Sequence, residues 1–333
     1  MTGTRSVDGE LVQWGERLFY PGNRIVKTSP LPRPSGSVWR RAQGIRNRIH
    51  ATVTLRAPQV MVKVTGGGRG MAAITAHFRY ISKNGRRIIE DDRSVEHEGK
   101  DALRDLVDQW SYGGSFIDEI SHRREAFNIM LSMPHGTNPQ MVQGAAREFA
   151  QVELAGHRWV LVLHDHQANP HVHLSARAES ISGSRLDPRK ADLHRWRESF
   201  AEKLRGLGIN AEATRQATRG ETRHHETLWR IKAKEAGRLR NDGQAAKSAP
   251  RQSMSRSGAM EAWLHIVQAL EGSDVASDRH LASQIRQFAT ASPYLREAVR
   301  LRQQRAAVVE RPVVQQAPGA ALTKSRSDPE IAR

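Results

Sequence analysis

The sequence contains no cysteine among its 333 residues. Disulfide bonds and thiolate metal sites are therefore excluded, so a bound metal would need histidine nitrogens or oxygen ligands. The sequence also lacks any apolar run close to the ~20 residues that a membrane helix requires. The first residues lack the apolar stretch of a signal peptide. These absences predict a cytoplasmic protein without membrane insertion.

Acidic residues are in deficit. The chain has 35 Asp and Glu against 52 Lys and Arg, which gives a net charge of +17 and an isoelectric point near 10.9. A surplus of this size favours a polyanionic partner, because contacts between cationic side chains and phosphates drive nucleic-acid binding. Nucleic acid is the expected partner, and an inert basic surface is the alternative.

The composition changes along the chain and divides it into four segments. Residues 1–56 are rich in Pro, Ser, Gly and Arg without a steady period, which predicts a disordered basic tail. Two tryptophans in that segment, Trp14 and Trp39, are too few to form a core. We expect a folded domain over 57–215, a basic helical region over 216–310 and a second disordered tail over 311–333.

Strand and helix patterns are mixed within the folded domain. "QVMVKVTGG" alternates and ends on glycine, which predicts a strand, whereas "GMAAITAHFRYISKNG" has the apolar spacing of a helix. Further strands are predicted over "AFNIMLSM", "RWVLVLH" and "HVHLSARA", and further helices over "EGKDALRDLVDQWS", "NPQMVQGAAREFAQVELA" and "ADLHRWRESFAEKLRGLG". Because the last two strands can form a hairpin, we expect an α+β fold. Its central sheet would be mainly antiparallel and flanked by helices, with a basic helical C-terminal extension.

The stretch "LHDHQANPHVHL" holds four of the 15 histidines. Because side chains alternate between the two faces of a strand, His171 and His173 lie on one face of their strand. The apolar residues between them lie on the other face, which we expect to be the core side. His164 ends the preceding strand, and the intervening loop can return the chain so that all three imidazoles converge. Such a facial set suits Mn²⁺ or a later divalent metal better than Mg²⁺ and leaves positions open for substrate oxygens. The alternative is that these are ordinary surface histidines.

Tyrosine is scarce, with four in the chain: Tyr20, Tyr80, Tyr112 and Tyr294. Tyr80 lies on the predicted helix but away from its apolar stripe, whereas a tyrosine placed for packing would usually lie on that stripe. Tyr80 is therefore the candidate nucleophile, and Tyr112 in "WSYGGS" stays open as an alternative nucleophile. A phenol with a pKa near ~10 needs a base or a nearby cation to act as a nucleophile at neutral pH. The metal, Arg79 and Lys83 could supply positive charge, and His77 is a weaker candidate.

The glycine-rich stretch "TGGGRGM" at 65–71 opens the same helix. It lacks the ending of a Walker A sequence, so ATP use is not expected. Two interpretations stay open: its backbone amides receive a DNA phosphate, or the glycines only form a tight turn. Arg69 within it could contact the DNA backbone.

The pattern His-x-x-x-x-Asn-x-His-hydrophobe-His, at His164, Asn169, His171 and His173, is similar to the metal motif of conjugative relaxases. These mobilisation nucleases belong to the HUH endonuclease superfamily, and the resemblance covers about residues 58–215. It implies an antiparallel sheet with helices packed on it and the two metal-bearing strands at its middle.

The resemblance also implies a reaction. A tyrosine on an early helix, here Tyr80, attacks one DNA phosphodiester at an origin of transfer, which yields a 5′-phosphotyrosine link and a free 3′-hydroxyl. A divalent metal, Mg²⁺ or Mn²⁺, polarises the scissile phosphate. The implied partners are single-stranded or supercoiled DNA at an origin of transfer, accessory transfer proteins and a coupling protein.

One position departs from the family pattern. Many relaxases carry an aspartate two residues after the first metal histidine, whereas this chain has His166 there with Asp165 beside it. Either residue could orient a ligand or take the proton, or the proton could go to water. The candidate DNA contacts are Arg69, Arg79, Lys83 and Arg177.

Two other functions stay open at this stage. A rolling-circle replication initiator of the same superfamily would use the same chemistry, but such initiators usually place the tyrosine after the histidines, where Tyr294 is the only late candidate. A non-catalytic, basic DNA-binding accessory protein is the third hypothesis. Loss of activity with EDTA, restored by Mn²⁺, would exclude it.

Overall fold

A computed structural model describes residues 6–19, 36–167, 169–221, 233–238 and 249–309, so the predicted tail at 311–333 lies outside the described residues. The helices are α1 (Val7–Phe19), α2 (Gly36–Ile49), α3 (Met71–Ile81), α4 (Gly99–Tyr112), α5 (Pro139–Glu153), α6 (Lys190–Gly206), α7 (Ala249–Glu271), α8 (Ala276–Thr290) and α9 (Pro293–Val309), with a π-helical turn at His50–Thr54. The strands are β1 (Met61–Gly66), β2 (Ile89–Asp91), β3 (Glu96–His97), β4 (Ala126–Ser132), β5 (Trp159–His164) and β6 (His171–Arg177).

One sheet of six strands forms the centre of the fold. Its order is β1-β4-β6-β5-β2-β3, and every neighbouring pair is antiparallel. The predicted α+β class and antiparallel sheet are confirmed, and the two histidine-bearing strands, β5 and β6, occupy the middle. The short strands β2 and β3 carry no recognisable alternation and were missed by the sequence prediction.

Both faces of the sheet are covered by helices. Leu161 and Leu174 point to one face, where α5 and α6 close a core that includes Phe149 and Phe200. Val160 and Val162 point to the other face, into a second core with α3 and α4. This explains why β5 is apolar at successive positions. The histidine face of β6 was expected to lie away from the core, and the packing of α3 on it corrects that expectation.

Helix α5 begins where its sequence predicts. The side chain of Asn138 accepts hydrogen bonds from the backbone amides of Gln140 and Met141, at 2.9 and 3.3 Å. Pro139 occupies the first helical position, where a missing amide hydrogen is harmless. The predicted cap is confirmed, and α5 presents its apolar side to the sheet.

The prediction of a disordered tail over 1–56 is wrong for the described residues of that segment. Helices α1 and α2 pack against α7 and α8 around a third core, which contains Leu11, Ile45, Trp263 and Ile266. Trp14 is buried and stacks on His265, with ring centroids 3.9 Å apart, while Trp39 is exposed. The missing apolar partners of α1 and α2 lie about 200 residues later in the chain, where no local pattern reveals them.

Polar contacts join this helical unit to the sheet domain. Arg48 donates to Glu198 and to Glu212, each at 2.7 Å. The Trp263 indole donates to the Thr218 carbonyl at 2.8 Å, so the segment after α6 passes between the two units. Within the described residues, no helix combines the length and the apolar composition needed to cross a bilayer.

The glycine-rich stretch before α3 forms a tight turn. The amides of Gly68, Met71 and Ala72 donate to carbonyls of the chain at Ala126, Asp118 and Glu119, at 3.1, 2.9 and 3.2 Å. These three donors are therefore occupied by the protein's own carbonyls, which favours the tight-turn interpretation over the phosphate-binding one. The turn fixes where α3 begins on the sheet.

Gly70 is the position in this turn where glycine is required. Its φ is +94°, and a β-carbon there would overlap the carbonyl oxygen of Glu119. We predict that Gly70→Ala destabilises the sheet domain by about 1–3 kcal/mol, because both the backbone conformation and the contact are strained. Gly66→Ala is the matched control, since a β-carbon at Gly66 meets nothing within 4 Å. Thermal unfolding should show a lower melting temperature for Gly70→Ala only, and equal melting temperatures for the two variants would contradict the prediction.

Candidate metal centre and catalytic tyrosine

The antiparallel pairing of β5 with β6 brings three histidines together. His164 lies directly opposite His171, and His173 lies two residues further along the same face of β6. Ligand nitrogens of the three side chains all lie within 4.8 Å of one another. Their ring centroids are separated by 4.6 to 5.1 Å. The predicted convergence of His164, His171 and His173 is thus observed.

Backbone carbonyls set the tautomers of two of these rings. A carbonyl can only accept, so the 2.8 Å bond to Ile81 O places the proton of His164 on Nε2. The 3.0 Å bond to Asn169 O likewise places the proton of His171 on Nδ1. In each ring the other nitrogen keeps its lone pair. Nδ1 of His173 is buried and has no hydrogen-bond partner among the described residues. This is the arrangement that metal-ligating histidines usually have.

Burial keeps the rings uncharged. Together with the proximity of the other imidazoles, it lowers the pKa of His164 to about 4 and the pKa of His173 to about 3. The two rings are therefore neutral at pH 7 and present nitrogen lone pairs without first losing a proton. Three converging imidazoles on one face of a rigid sheet fit a divalent cation of intermediate softness.

Helix α3 carries Tyr80 over this part of the sheet. Its stripe of apolar residues is buried, whereas 71% of Tyr80 is exposed. The ring of His77 lies between Tyr80 and the histidine cluster, with centroid distances of 6.4 Å to Tyr80 and 6.3 Å to His173. The phenol is thus one ring away from the candidate metal ligands.

The other described tyrosines lie elsewhere. Tyr112 packs on Phe116 at the end of α4, next to the Gly113 carbonyl that accepts from Arg177. Arg177 is four residues beyond His173 along β6, or about 13 Å at the usual rise per residue. Tyr294 belongs to the helical unit, where its amide donates to Gly220 O. The fourth tyrosine, Tyr20, lies outside the described residues.

The family comparison agrees with this geometry. A family model described as the MobA/VirD2-like nuclease domain of relaxases matches residues 82–208. The chain contains a relaxase nuclease domain. The matched segment includes all three histidines and begins two residues after Tyr80. The assignment supports DNA nicking and DNA binding in general. No curated protein matches the chain.

Arg87 of the relaxase domain organises the loop between β5 and β6, and the sequence prediction missed it. Its guanidinium donates to Leu163 O at 3.0 Å, to the carboxylate of Asp165 at 3.3 Å and to Nδ1 of His166 at 2.8 Å. The bond from Arg87 lowers the pKa of Asp165. Desolvation and the nearby charges of Lys83 and Arg87 lower the pKa of His166. No local signal connects Arg87 with residues about 80 positions later.

His77 is better placed than the sequence suggested. It is half-buried, its Nε2 has no hydrogen-bond partner among the described residues, and burial lowers its pKa to about 4. It therefore offers a neutral ring between the phenol and the metal ligands. Asp165 and His166, by contrast, are both engaged by Arg87.

The four predicted DNA contacts of the relaxase domain have different surroundings. Lys83 is exposed and lies close enough to His166 to lower its pKa. Arg69 is exposed and donates to His122 O at 3.2 Å. Arg79 lies in the groove between α3 and α4, beside a cavity of about 380 Å³. The residues that line this cavity include four cations and no acid: Arg79, Arg86, Lys100 and Arg104.

Arg177 is not available to DNA. Only 2% of the residue is exposed, and its guanidinium donates to the carbonyls of Trp110, Gly113 and Ser115. The side chain closes the C-terminal end of α4 against the sheet. Alternation along β6 correctly placed it on the histidine face, but that face is covered by α4 at this point.

Removal of one imidazole tests the metal site. We predict that His173→Ala weakens Mn²⁺ binding by ~100-fold or more, because loss of a direct ligand should exceed the effect of losing an outer-shell partner. Isothermal titration calorimetry with Mn²⁺ measures the change. His122→Ala is the matched control, since this histidine is exposed and outside the cluster. Equal Mn²⁺ affinities for the two variants would remove His173 from the site.

Proposed function

We propose that the protein nicks and rejoins one DNA strand by tyrosine transesterification at an origin of transfer and so initiates conjugative mobilisation. One observation carries the proposal: an exposed phenol on α3 lies one ring away from three converging imidazoles. The family match supports DNA nicking, and the specific role in transfer follows from the resemblance of the histidine motif.

Three residues would hold the divalent metal: His164, His171 and His173. A bound Mg²⁺ or Mn²⁺ would supply Lewis-acid polarisation of the scissile phosphate. The chain contributes the orientation of the ligands, because Ile81 O and Asn169 O hold two of the rings in fixed tautomers. Burial of His164 and His173 keeps competing protons off these two rings at neutral pH.

Tyr80 would supply the nucleophile. Its phenolic oxygen forms a bond to phosphorus while the bond from phosphorus to the 3′ oxygen of the preceding nucleotide breaks. The phenolic proton leaves during attack, and the departing 3′ oxygen takes up a proton to become a hydroxyl. The reverse steps rejoin the strand, so the phosphotyrosine link conserves the energy of the phosphodiester.

The proton acceptor would be one of three side chains near the phenol. Asp165 and His166 are the candidates from the sequence, and both are held by Arg87. His77 is nearest to Tyr80 and has an unpartnered nitrogen, so we place it first. In this arrangement Arg87 fixes the loop beside the metal ligands.

The exposed cations around α3 would hold the DNA. Lys83 follows α3 directly and lies beside the histidine loop, where a phosphate next to the scissile one would pass. Arg79, Arg86, Lys100 and Arg104 form an acid-free groove on the other side of the helix. Tyr80 is thereby flanked by cations on both sides.

The nucleophile is tested by mapping the covalent adduct. Origin-bearing supercoiled or single-stranded DNA is mixed with the full chain and Mn²⁺, and the adduct is separated by denaturing electrophoresis. We predict that Tyr80→Phe abolishes the adduct, because phenylalanine lacks the attacking oxygen. Tyr112→Phe is the matched control and should retain the adduct, since Tyr112 is equally exposed but distant from the histidines.

Mass spectrometry of the modified peptide separates the alternatives. An adduct on Tyr294 would replace the proposal with a rolling-circle initiator, and an adduct on Tyr112 would move the nucleophile to α4. DNA binding without any adduct, unaffected by EDTA or Mn²⁺, would indicate the accessory DNA-binding protein instead.

A further inference from the structure

A second basic cavity lies beside the free edge of β1. Its volume is about 610 Å³. One wall is the backbone of residues 59–63, and the others are Arg197 of α6, the segment 214–217 and the start of α7 around Arg256. The sheet domain and the helical unit therefore both contribute to it.

All the charged residues that line this cavity are cationic. Four of the residues that line it are cationic, and none is acidic: Lys63, Arg197, Arg215 and Arg256. Glu198 and Glu212, which adjoin this part of the chain, are both bound by Arg48, and Arg256 donates to the Glu221 carbonyl at 2.9 Å. The cavity thus collects positive charge from four separate parts of the chain.

Two of these arginines are half-buried without a counter-charge. Among the described residues no carboxylate pairs with Arg197 or Arg215, and burial lowers the pKa of both side chains. Arg215 donates to Arg17 O at 2.9 Å, but its Nε is buried and unpartnered. A guanidinium removed from water without an anion raises the free energy of the folded state. An anion in the cavity would remove that cost.

The sheet register relates the cavity to the histidine cluster. Lys63 lies opposite Met130 of β4, and Met130 lies opposite His173 of β6. Residues directly opposite each other in neighbouring strands point to the same face, so Lys63 and His173 share one face of the sheet. Two inter-strand spacings separate them, or about 10 Å. Lys63 is exposed, and it belongs both to the histidine face of the sheet and to the lining of the cavity.

We propose that this cavity binds the sugar–phosphate backbone of the same single DNA strand that is nicked, a few nucleotides from the scissile phosphate. The inference rests on the proposed function, because the proposed reaction at Tyr80 supplies that strand. Guanidinium groups bind phosphate oxygens through two parallel hydrogen bonds, which suits half-buried arginines. The helical unit then forms part of the DNA-binding surface through Arg256.

Two substitutions test the cavity independently. Lys63→Gln and Arg197→Gln each remove one charge, and Lys190→Gln, at the exposed start of α6, is the matched control. Binding is measured by fluorescence anisotropy in EDTA. The probe is labelled oligothymidine of about 30 nucleotides, longer than the ~4–16 nucleotides that one compact fold covers.

The salt dependence of binding identifies a lost phosphate contact. Each contact to single-stranded DNA contributes about 0.7 to the slope of log affinity against log salt. We predict a slope reduced by ~0.7 in each single variant and by ~1.4 in the double variant, with the control unchanged. Wild-type slopes in Lys63→Gln and Arg197→Gln would overturn the proposal.

Stability separates a binding role from a structural one. If Arg197 is an uncompensated charge, Arg197→Gln should keep or raise the melting temperature of the DNA-free protein. A lower melting temperature would instead assign Arg197 a structural role. In that case the salt slope of Lys63→Gln alone tests whether the cavity binds DNA, because an exposed side chain on the edge strand contributes little to stability.

The failure of this proposal and of the proposed function are distinguishable. If the variants keep the wild-type slope while the wild type forms the Tyr80 adduct, the cavity assignment is wrong and nicking stands. If the slopes fall as predicted but no adduct forms at Tyr80, nicking is wrong and the cavity still binds DNA. Variants that lose binding to a labelled polyglutamate peptide but retain oligothymidine binding would assign the cavity to an acidic protein segment and overturn the proposal.

Discussion

The register of β5 against β6 is the constraint on which the candidate site depends. His164 opposes His171 in a register in which β5 divides its apolar residues between two cores, while β6 places Val172 and Leu174 in one of them. A shift of one residue in either strand would send its imidazoles to the opposite face, under α5 and α6. The same shift in β6 would move Val172, Leu174 and Ala176 out of the core under α5 and α6, where they are now fully buried. Burial of leucine and valine on the two faces thus specifies the position of the histidines, although it involves none of their nitrogens.

Helix α3 links the proposed nucleophile to the candidate metal ligands through its backbone as well as its side chains. The Ile81 carbonyl at its C-terminal end holds His164, and Tyr80 is the residue before it. Phe78 anchors the same turn in the core against Trp110, with ring centroids 4.8 Å apart. Because these groups lie within four consecutive residues, the phenol and the ligand cannot shift independently. This explains how an exposed tyrosine on a helix surface keeps a defined position relative to the sheet.

Local periodicity was sufficient for the main elements and for the histidine face. Alternation over residues 171–177 placed His171 and His173 together, and the stripe on α3 left Tyr80 outside the core. The sequence predictions that failed concern residues whose surroundings are set by contacts with distant parts of the chain. Arg177 was expected to reach DNA, because the alternation of side chains along a strand predicts which face of the sheet Arg177 lies on. It does not predict that the end of α4 covers that face. Arg87 was missed since its partners lie about 80 residues later. Helices α1 and α2 were taken as disordered because α7 and α8 supply their core.

The third core has a consequence for how the protein folds during synthesis. Helices α1 and α2 pack on each other, and the core that they share is completed by α7 and α8, which follow about 200 residues later. At ribosomal rates of ~5–20 residues per second, that core stays incomplete for roughly 10 to 40 s. The sheet domain between them can complete its own cores in that interval. Part of the apolar surface of α1 and α2 is therefore exposed in the nascent chain until the long-range contacts close.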